Sequence, residues 1–125
     1  MPRRILVVDD EEPILFALRE YFTALGYDVD AAREAEEAEA CLRDVRYDLV
    51  IADLRLCGSQ GAQGLEVLTW ARQRAPETRT ILLTAYGSPE VEREARQLGV
   101  DALLHKPKPL PEVAKIVVGL LGTPS

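Results

Sequence analysis

Acidic, hydroxyl and basic side chains stand at the ends of short apolar runs in this sequence, where buried strands would stop. These residues are Asp9, Asp10, Asp53, Thr84 and Lys106. Carboxylate oxygens suit a hard cation such as Mg²⁺, and an aspartate carboxylate can attack phosphorus and form an acyl phosphate. A lysine and a hydroxyl can then contact the remaining phosphoryl oxygens. The residue types therefore indicate metal-assisted phosphoryl chemistry centred on Asp53.

The stretches between these residues predict helices, so that strands and helices alternate five times along the chain. The predicted strands are 4–9, 27–32, 48–53, 80–84 and 102–105. The predicted helices are 13–25, 33–46, 65–75, 89–98 and 113–121, and residues 106–111 are predicted to be irregular. Alternation with short connections indicates one α/β domain, a doubly wound parallel sheet with helices on both faces.

Capping residues mark the ends of two predicted helices. Gly26 and Gly99 are predicted to end the first and fourth helices, and Ser88 is predicted to cap the start of the fourth. The fourth helix has only a thin apolar stripe, so it is predicted to be the least firmly held element.

The carboxyl ends of parallel strands lie at one edge of the sheet, where open α/β sheets place their ligands. The residues therefore predicted to meet in one crevice are Asp9, Asp10, Asp53, Thr84 and Lys106. Two negative charges ~4 Å apart repel each other by about 4 kcal/mol at an effective dielectric constant of ~20. A divalent ion, Lys106 or both must offset that repulsion.

Composition excludes several other functions. A net charge of −6 argues against direct binding of nucleic acid, which requires a basic face. No apolar run approaches the roughly 18 residues of a membrane span, and the first residues do not read as a signal peptide, so we expect a cytoplasmic protein. Cys41 and Cys57 lack the spacing of a zinc site, and the single histidine, His105, is expected to be a packing or loop residue.

Four short motifs at the predicted strand ends carry a resemblance to a known family. They are Ile-Leu-Val-Val-Asp-Asp-Glu at 5–11, Ile-Ala-Asp-Leu at 51–54, Leu-Thr-Ala at 83–85 and Lys-Pro at 106–107. Over essentially its whole length, the chain resembles the receiver domain of two-component response regulators. The resemblance implies a flavodoxin-like sheet in the order 2-1-3-4-5. It also implies one receiver domain over residues 1–125, and residues 122–125 are expected to be a frayed tail.

The resemblance also implies roles for the acidic residues. Asp53 would accept a phosphoryl group from a histidine kinase or a histidine phosphotransfer protein. Asp10 and Asp53 would ligate Mg²⁺ together with the backbone carbonyl of Arg55, and Asp9 would support the ion through a water molecule. Apart from self-phosphorylation and autodephosphorylation, no enzyme activity is implied.

The remaining motif residues are implied to act in switching. Lys106 would contact the phosphoryl group, with a cis peptide bond between Lys106 and Pro107. Thr84 would reorient toward the phosphoryl group and change the surface formed by the fourth helix, fifth strand and fifth helix. A downstream protein target or effector domain, whose identity the sequence does not give, would read that surface.

The sequence departs from the family pattern in three places. Leu56-Cys57 replaces the usual Met-Pro or Leu-Pro pair, and Gly64 follows about three residues late, so the loop after Asp53 is longer. Leu103 stands where the family has its switch aromatic, and Tyr86 is a candidate to act instead.

The third departure concerns the positions that, in this family, tune how fast the phosphoryl group is lost. Here they hold Arg55 and Tyr86, which predict a shielded and slowly hydrolysing phosphoaspartate.

Two alternative functions remain at this point. The first is a phosphorylation-independent, receiver-like module that signals by contact alone, which Leu103 and the longer loop favour. The second is a phosphohydrolase that uses an aspartyl phosphate at the end of its first strand in an Asp-x-Asp pattern. Glu11 replaces the second aspartate of that pattern and no cap-domain insertion is present, which argues against this second function.

Overall fold

A computed structural model describes residues 2–54, 63–85 and 87–124 of the chain. Within these residues the strands are β1 Arg4–Val8, β2 Asp28–Ala32, β3 Leu49–Asp53, β4 Arg79–Thr84 and β5 Ala102–His105. The helices in the same residues are α1 Glu12–Leu25, α2 Ala35–Asp44, α3 Gln63–Arg74, α4 Pro89–Leu98 and α5 Leu110–Leu121. The alternation of strands and helices predicted from the sequence is confirmed.

The sheet has all its strands parallel, in the order β2-β1-β3-β4-β5. This order confirms the predicted doubly wound fold. β1, β3 and β4 are the interior strands, which explains why they are near-continuous apolar runs rather than alternating ones. Since every strand runs the same way, the ends of β1, β3, β4 and β5 all lie at one edge, which we call the carboxyl edge.

Alternate residues of the central strands enter two separate cores. Leu6 and Val8 of β1 pack with α2 and α3 on one face of the sheet. Ile5 and Val7 pack with α1 and α5 on the other face. Both faces of the sheet are therefore covered by apolar helix surfaces, which fixes the strand ends that carry the polar residues.

The predicted helix ends are confirmed. Gly26 and Gly99 adopt left-handed conformations, with φ of 108° and 83°, directly after α1 and α4. Ser88 precedes α4, and its Oγ accepts a hydrogen bond of 3.1 Å from the backbone N–H of Val91. Ala95 is the one fully buried residue of α4.

The fifth helix differs from the sequence prediction. α5 begins at Leu110, whereas residues up to Pro111 were predicted to be irregular. The error lies in reading Pro111 as a helix breaker. A proline in the first turn is tolerated because the N–H groups there have no acceptor within the helix.

Tyr27 was predicted to open the second strand, but β2 begins at Asp28. The Tyr27 ring is buried edge-on against Phe22, with 5.9 Å between ring centroids. Its hydroxyl donates a hydrogen bond of 3.2 Å to the backbone carbonyl of Gly122. Tyr27 therefore joins the end of α1 to the segment after α5.

Residues 122–124 follow α5 and belong to the segment predicted to be frayed. Besides the bond to Gly122, the carbonyl of Pro124 accepts a hydrogen bond of 2.8 Å from the N–H of Arg3. Fraying of this segment in solution stays a prediction, which hydrogen exchange at these residues would test. Among the described residues, no helix has the length and apolar character needed to cross a membrane.

Candidate functional site

Asp53 is the last residue of β3 and lies at the carboxyl edge with only 5% of its surface exposed. The parallel pairing of β3 with β4 sets Asp53 opposite Leu83, so its position follows from the sheet register. Across the described part of the chain, its Oδ1 atom is a buried side-chain oxygen without a hydrogen-bond partner. Such an atom is expensive to bury unless a ligand or ion satisfies it.

Asp9 follows β1 and is almost fully buried, with 1% of its surface exposed. Its Oδ2 accepts a hydrogen bond of 2.8 Å from Lys106 Nζ, and its Oδ1 accepts one of 2.9 Å from the N–H of Glu11. Glu11 is the residue that precedes α1 as its N-cap, without a side-chain capping bond. Asp9 therefore binds both the N-cap residue of α1 and the side chain of Lys106, and it is not itself the N-cap of the helix.

Lys106 reaches this crevice from the end of β5. Its Nζ lies 3.5 Å from Asp53 Oδ2 as well as 2.8 Å from Asp9 Oδ2. Its backbone N–H donates a hydrogen bond of 2.8 Å to the carbonyl of Thr84, which joins the ends of β4 and β5. The Lys106–Pro107 peptide bond is cis, as the resemblance implied.

The charges in the crevice interact strongly because they are largely removed from water. Burial, and then the negative charge of Asp9, raise the pKa of Asp53 to about 6, although the ammonium of Lys106 opposes that rise. For Lys106, burial favours the neutral amine, but the hydrogen bond to Asp9 and the charges of Asp9 and Asp53 raise the pKa overall. Among the described residues, the single lysine at the site does not neutralise this group of carboxylates, which leaves that part of the crevice short of positive charge.

Asp9, Asp10 and Asp53 can each direct one carboxylate oxygen to a common point, since those atoms lie within 4.8 Å of one another. Oxygen donors of this kind suit Mg²⁺ or another hard divalent cation. The unsatisfied Oδ1 of Asp53 and the shortage of positive charge fit the same ligand. The crevice is therefore an acidic pocket able to bind a metal ion. The backbone carbonyl of Arg55, the other ligand implied by the resemblance, lies outside the described residues.

Thr84 ends β4 and is fully buried at the same edge. Of the residues singled out in the sequence, Asp9, Asp53 and Lys106 are in direct contact or in the same ion-pair network, and Thr84 is joined to Lys106 through its backbone. The strand ends thus bring together residues that are up to 97 positions apart in the chain.

Gly64 has a closer relation to the site than the sequence indicated. A Cβ atom added at this position would lie 2.0 Å from the backbone oxygen of Asp53, so only glycine fits. Its N–H donates a hydrogen bond of 2.9 Å to the carbonyl of Leu54. No sequence pattern indicated this contact, because Gly64 was predicted to lie directly before the third helix, at residues 65–75, whereas α3 begins at Gln63.

The remaining predictions concern the surroundings of the site. His105 is exposed, and its ring lies against Gly87, where an added Cβ would come within 2.4 Å of it. Leu103 is half-buried beside Ala95 and Val100. The structure of Tyr86 and of the loop containing Cys57 lies outside the described residues.

A model described as the response regulator receiver domain matches residues 5–118. The chain belongs to this family. Receiver domains are the parts of two-component response regulators that interact with histidine kinases or phosphotransfer proteins. The family is consistent with a phosphoacceptor role for the acidic crevice, and receiver domains are generally not true enzymes.

Two relatives illustrate the match for this receiver domain. It is 39% identical over 104 residues to the alginate biosynthesis transcriptional regulatory protein AlgB of Pseudomonas aeruginosa. The aligned region covers 83% of this chain and 22% of AlgB. It is 34% identical over 109 residues to the sporulation initiation phosphotransferase F of Bacillus subtilis, which covers 87% of the chain and 84% of that relative. The chain therefore spans a small part of a relative such as AlgB.

A solved structure gives the same result for the fold. The response regulator receiver domain protein (CheY-like) from Methanospirillum hungatei has a TM-score of 0.85 to this receiver domain and is 30% identical to it. The superposition covers 96% of this chain and 94% of the other. The predicted family and the predicted sheet order are both confirmed.

Proposed function

We propose that this receiver domain accepts a phosphoryl group on Asp53 from a histidine kinase or a histidine phosphotransfer protein. The observation that carries this proposal is the environment of Asp53, a buried carboxylate with Lys106 at 3.5 Å and one oxygen that has no hydrogen-bond partner among the described residues. A carboxylate needed only for stability would have both oxygens satisfied. Asp53 instead presents a nucleophilic oxygen next to Lys106, which can contact the phosphoryl oxygens.

In the proposed transfer, a carboxylate oxygen of Asp53 attacks phosphorus and forms an O–P bond. The N–P bond to the donor histidine breaks, and the imidazole nitrogen keeps the electron pair. Lys106 lies on the correct side to contact a phosphoryl oxygen, because it already approaches Asp53 Oδ2. Asp9 holds the lysine there through its shorter bond of 2.8 Å, so that Asp9 acts by positioning it.

We propose that the transfer requires Mg²⁺, held by Asp10, Asp53 and the backbone carbonyl of Arg55, with Asp9 acting through water. The bound ion would neutralise negative charge that accumulates between the carboxylates and the phosphoryl oxygens. The donor set of Asp9, Asp10 and Asp53 supports this assignment, since all three offer oxygen atoms close together.

Thr84 is proposed to donate its hydroxyl to a phosphoryl oxygen and to move toward it. α4 supports a response to that movement, because a single residue, Ala95, is fully buried in this helix. We propose that the surface formed by α4, β5 and α5 changes as a result and is read by a downstream protein or effector domain. Because Leu103 replaces the family's switch aromatic, an aliphatic side chain would move with this surface instead of an aromatic one.

The wider assignments are proposals of the same kind. Residues 1–125 would form one receiver domain in the cytoplasm, with no direct contact to nucleic acid or membrane. Its own chemistry would be limited to Mg²⁺-dependent self-phosphorylation and autodephosphorylation. The slow loss of the phosphoryl group predicted from Arg55 and Tyr86 stays a prediction, to be tested by comparing phosphoryl half-lives with an Arg55→Ala, Tyr86→Ala double variant.

The experiment that tests the proposed function is intact-mass spectrometry after incubation with acetyl phosphate and Mg²⁺. We expect a gain of one phosphoryl group, abolished in Asp53→Asn and abolished when EDTA replaces Mg²⁺. An unmodified wild-type protein would instead favour a receiver-like module that signals by contact alone. Modification of the Asp53→Asn variant would show that another residue is the acceptor.

A further inference from the structure

A cavity of about 490 Å³ lies beside the acidic crevice, between α1 and the beginning of α5. Most of its wall is apolar and includes Ile14, Ala17 and Leu18 of α1 and Leu110 and Val113 of α5. Its volume falls within the range of roughly 300–1,000 Å³ that is usual for small-molecule sites. None of the phosphoryl chemistry proposed above uses this apolar wall.

Three charged side chains line the cavity, namely Glu11, Lys106 and Lys108. Lys106 is already paired with Asp9 at 2.8 Å, and the charge of Glu11 acts on the same lysine. Lys108 is half-buried, and within residues 2–54, 63–85 and 87–124 no carboxylate forms an ion pair with it. Of the two lysines in the cavity lining, Lys108 is therefore the one available to pair with an anionic ligand.

We propose that this cavity binds a small amphipathic anion, with an aromatic or alicyclic body and one acidic group. The body would lie against Ile14, Ala17 and Leu110, which are only partly buried, so that binding removes their apolar surface from water. The acidic group would pair with Lys108. At the other end of the cavity, near Lys106, it would meet the carboxylates of the acidic crevice, which repel an anion. The proposal does not depend on whether Asp53 is phosphorylated.

Two fluorescent dyes provide a matched pair of probes. 8-Anilinonaphthalene-1-sulfonate and N-phenyl-1-naphthylamine share the same aromatic body, but only the first carries an acidic group. We expect both to bind saturably to the wild-type protein, with fluorescence enhancement, and the sulfonate to bind more tightly. Titrations are run in EDTA and without phosphoryl donor, so that the result is separate from any test of phosphorylation.

Variants within the cavity test the location of the dyes. Ala17→Trp fills the space from α1, and we expect roughly a tenfold loss of affinity for both dyes, equivalent to about 1.4 kcal/mol. Leu110→Ser removes apolar wall without filling the cavity and serves if Ala17→Trp does not fold, as judged by circular dichroism. Phe16→Ser is the control on the same helix, since Phe16 is 65% exposed and lies outside the cavity lining.

Two lysine substitutions test whether the acidic group of the ligand pairs with Lys108. Lys108→Gln should weaken binding of the sulfonate about two- to fivefold, as expected for a solvent-accessible ion pair, and leave the neutral dye unchanged. Lys115→Gln removes the same charge from the exposed side of α5 and should change neither. The proposal is overturned if the cavity variants bind both dyes like wild type, if Phe16→Ser abolishes binding, or if the two lysine variants behave alike.

Discussion

Aspartates lie at both edges of the sheet, but their hydrogen bonding differs between the two. At the edge where strands begin, Asp101 Oδ2 accepts a hydrogen bond of 2.8 Å from the N–H of Thr80, and Asp48 Oδ2 accepts one of 2.8 Å from Arg4. At the carboxyl edge, Asp53 is more deeply buried and its Oδ1 has no partner among the described residues. Carboxylates at the first edge connect neighbouring strands, whereas those at the carboxyl edge repel one another.

This difference separates carboxylates that stabilise the fold from a carboxylate that is available for reaction. A carboxylate that accepts a hydrogen bond from the backbone N–H of a neighbouring strand stabilises the sheet. A buried carboxylate next to another one destabilises the folded state until a proton, a metal ion or a phosphoryl group relieves it. The same residue type thus joins strands at one edge and forms an acceptor site at the other.

The largest effect is expected from removing the cation of the carboxyl edge. Lys106→Met should slow phosphorylation by acetyl phosphate roughly a hundredfold or more, because the phosphoryl oxygens lose a charged donor in a buried site. The rate is measured by intact mass, with Lys115→Met on the exposed side of α5 as the control. Equal rates for the two variants would show that Lys106 takes no part in the transfer.

A methyl group placed against the backbone of Asp53 is expected to destabilise the carboxyl edge. In Gly64→Ala the new Cβ would lie 2.0 Å from the Asp53 carbonyl oxygen, and the resulting displacement should lower the free energy of unfolding by about 1–3 kcal/mol. Gly119→Ala is the matched control, since its Cβ would meet nothing within 4 Å. That helix substitution should stabilise the protein by about 0.5–1 kcal/mol. Urea unfolding that gives the two variants the same stability would contradict the close contact.

Neutralising the acceptor is expected to stabilise the protein at neutral pH. The pKa of Asp53 is raised to about 6 from 3.8, so the folded state binds a proton more tightly than the unfolded chain does. The destabilisation caused by ionised Asp53 therefore grows as the pH rises from about 3.8 to about 6 and is complete above that range. Asp53→Asn should raise the free energy of unfolding in EDTA by about 1–3 kcal/mol at pH 7.5, and the gain should shrink as the pH falls through 6. A gain that persists unchanged at pH 5 would rule out this electrostatic origin.

The opposite sign is expected for an aspartate at the other edge. Asp101→Ala removes the acceptor of the Thr80 N–H and should lower the free energy of unfolding by about 1–2 kcal/mol. Urea unfolding under the same conditions checks the sign. Should Asp101→Ala and Asp53→Asn change stability in the same direction, the contrast between the two edges would be lost.

The smallest effect is expected from a hydroxyl at the edge where strands begin. The Oγ of buried Thr78 donates a hydrogen bond of 2.7 Å to the carbonyl of Tyr47. Thr78→Val should lower stability by about 1 kcal/mol and leave the phosphorylation rate unchanged. Thermal unfolding and intact-mass kinetics on one sample separate the two readouts, and a slower phosphorylation would show that this edge affects the reaction.

Local patterns in the sequence predicted the alternation of strands and helices and the residues at the carboxyl edge, whereas the sheet order was implied only by the resemblance to the receiver family. Asp53 and Lys106 each stand directly after an apolar run, and parallel strands necessarily bring such ends together. The start of α5 was missed because Pro111 has two opposite meanings, a breaker inside a helix and a favourable residue in its first turn.

The finer structure of the site depends on three-dimensional contacts that no sequence pattern encodes. Asp9 bonds Lys106 more closely than Asp53 does, although nothing in the two motifs ranks these contacts. Similarly, the contact of Gly64 with the Asp53 backbone and the apolar cavity beside Lys108 arise from the packing of separate elements.

The most direct test of the central claim is to locate the phosphoryl group. After phosphorylation with acetyl phosphate and Mg²⁺, borohydride reduces an aspartyl phosphate to homoserine, which peptide mass spectrometry assigns to a position. We expect homoserine at position 53 alone, because one oxygen of Asp53 has no partner within residues 2–54, 63–85 and 87–124, whereas Asp9 accepts hydrogen bonds from Lys106 and from the N–H of Glu11. Homoserine at position 9 or 10, or at none of the three, would contradict the claim.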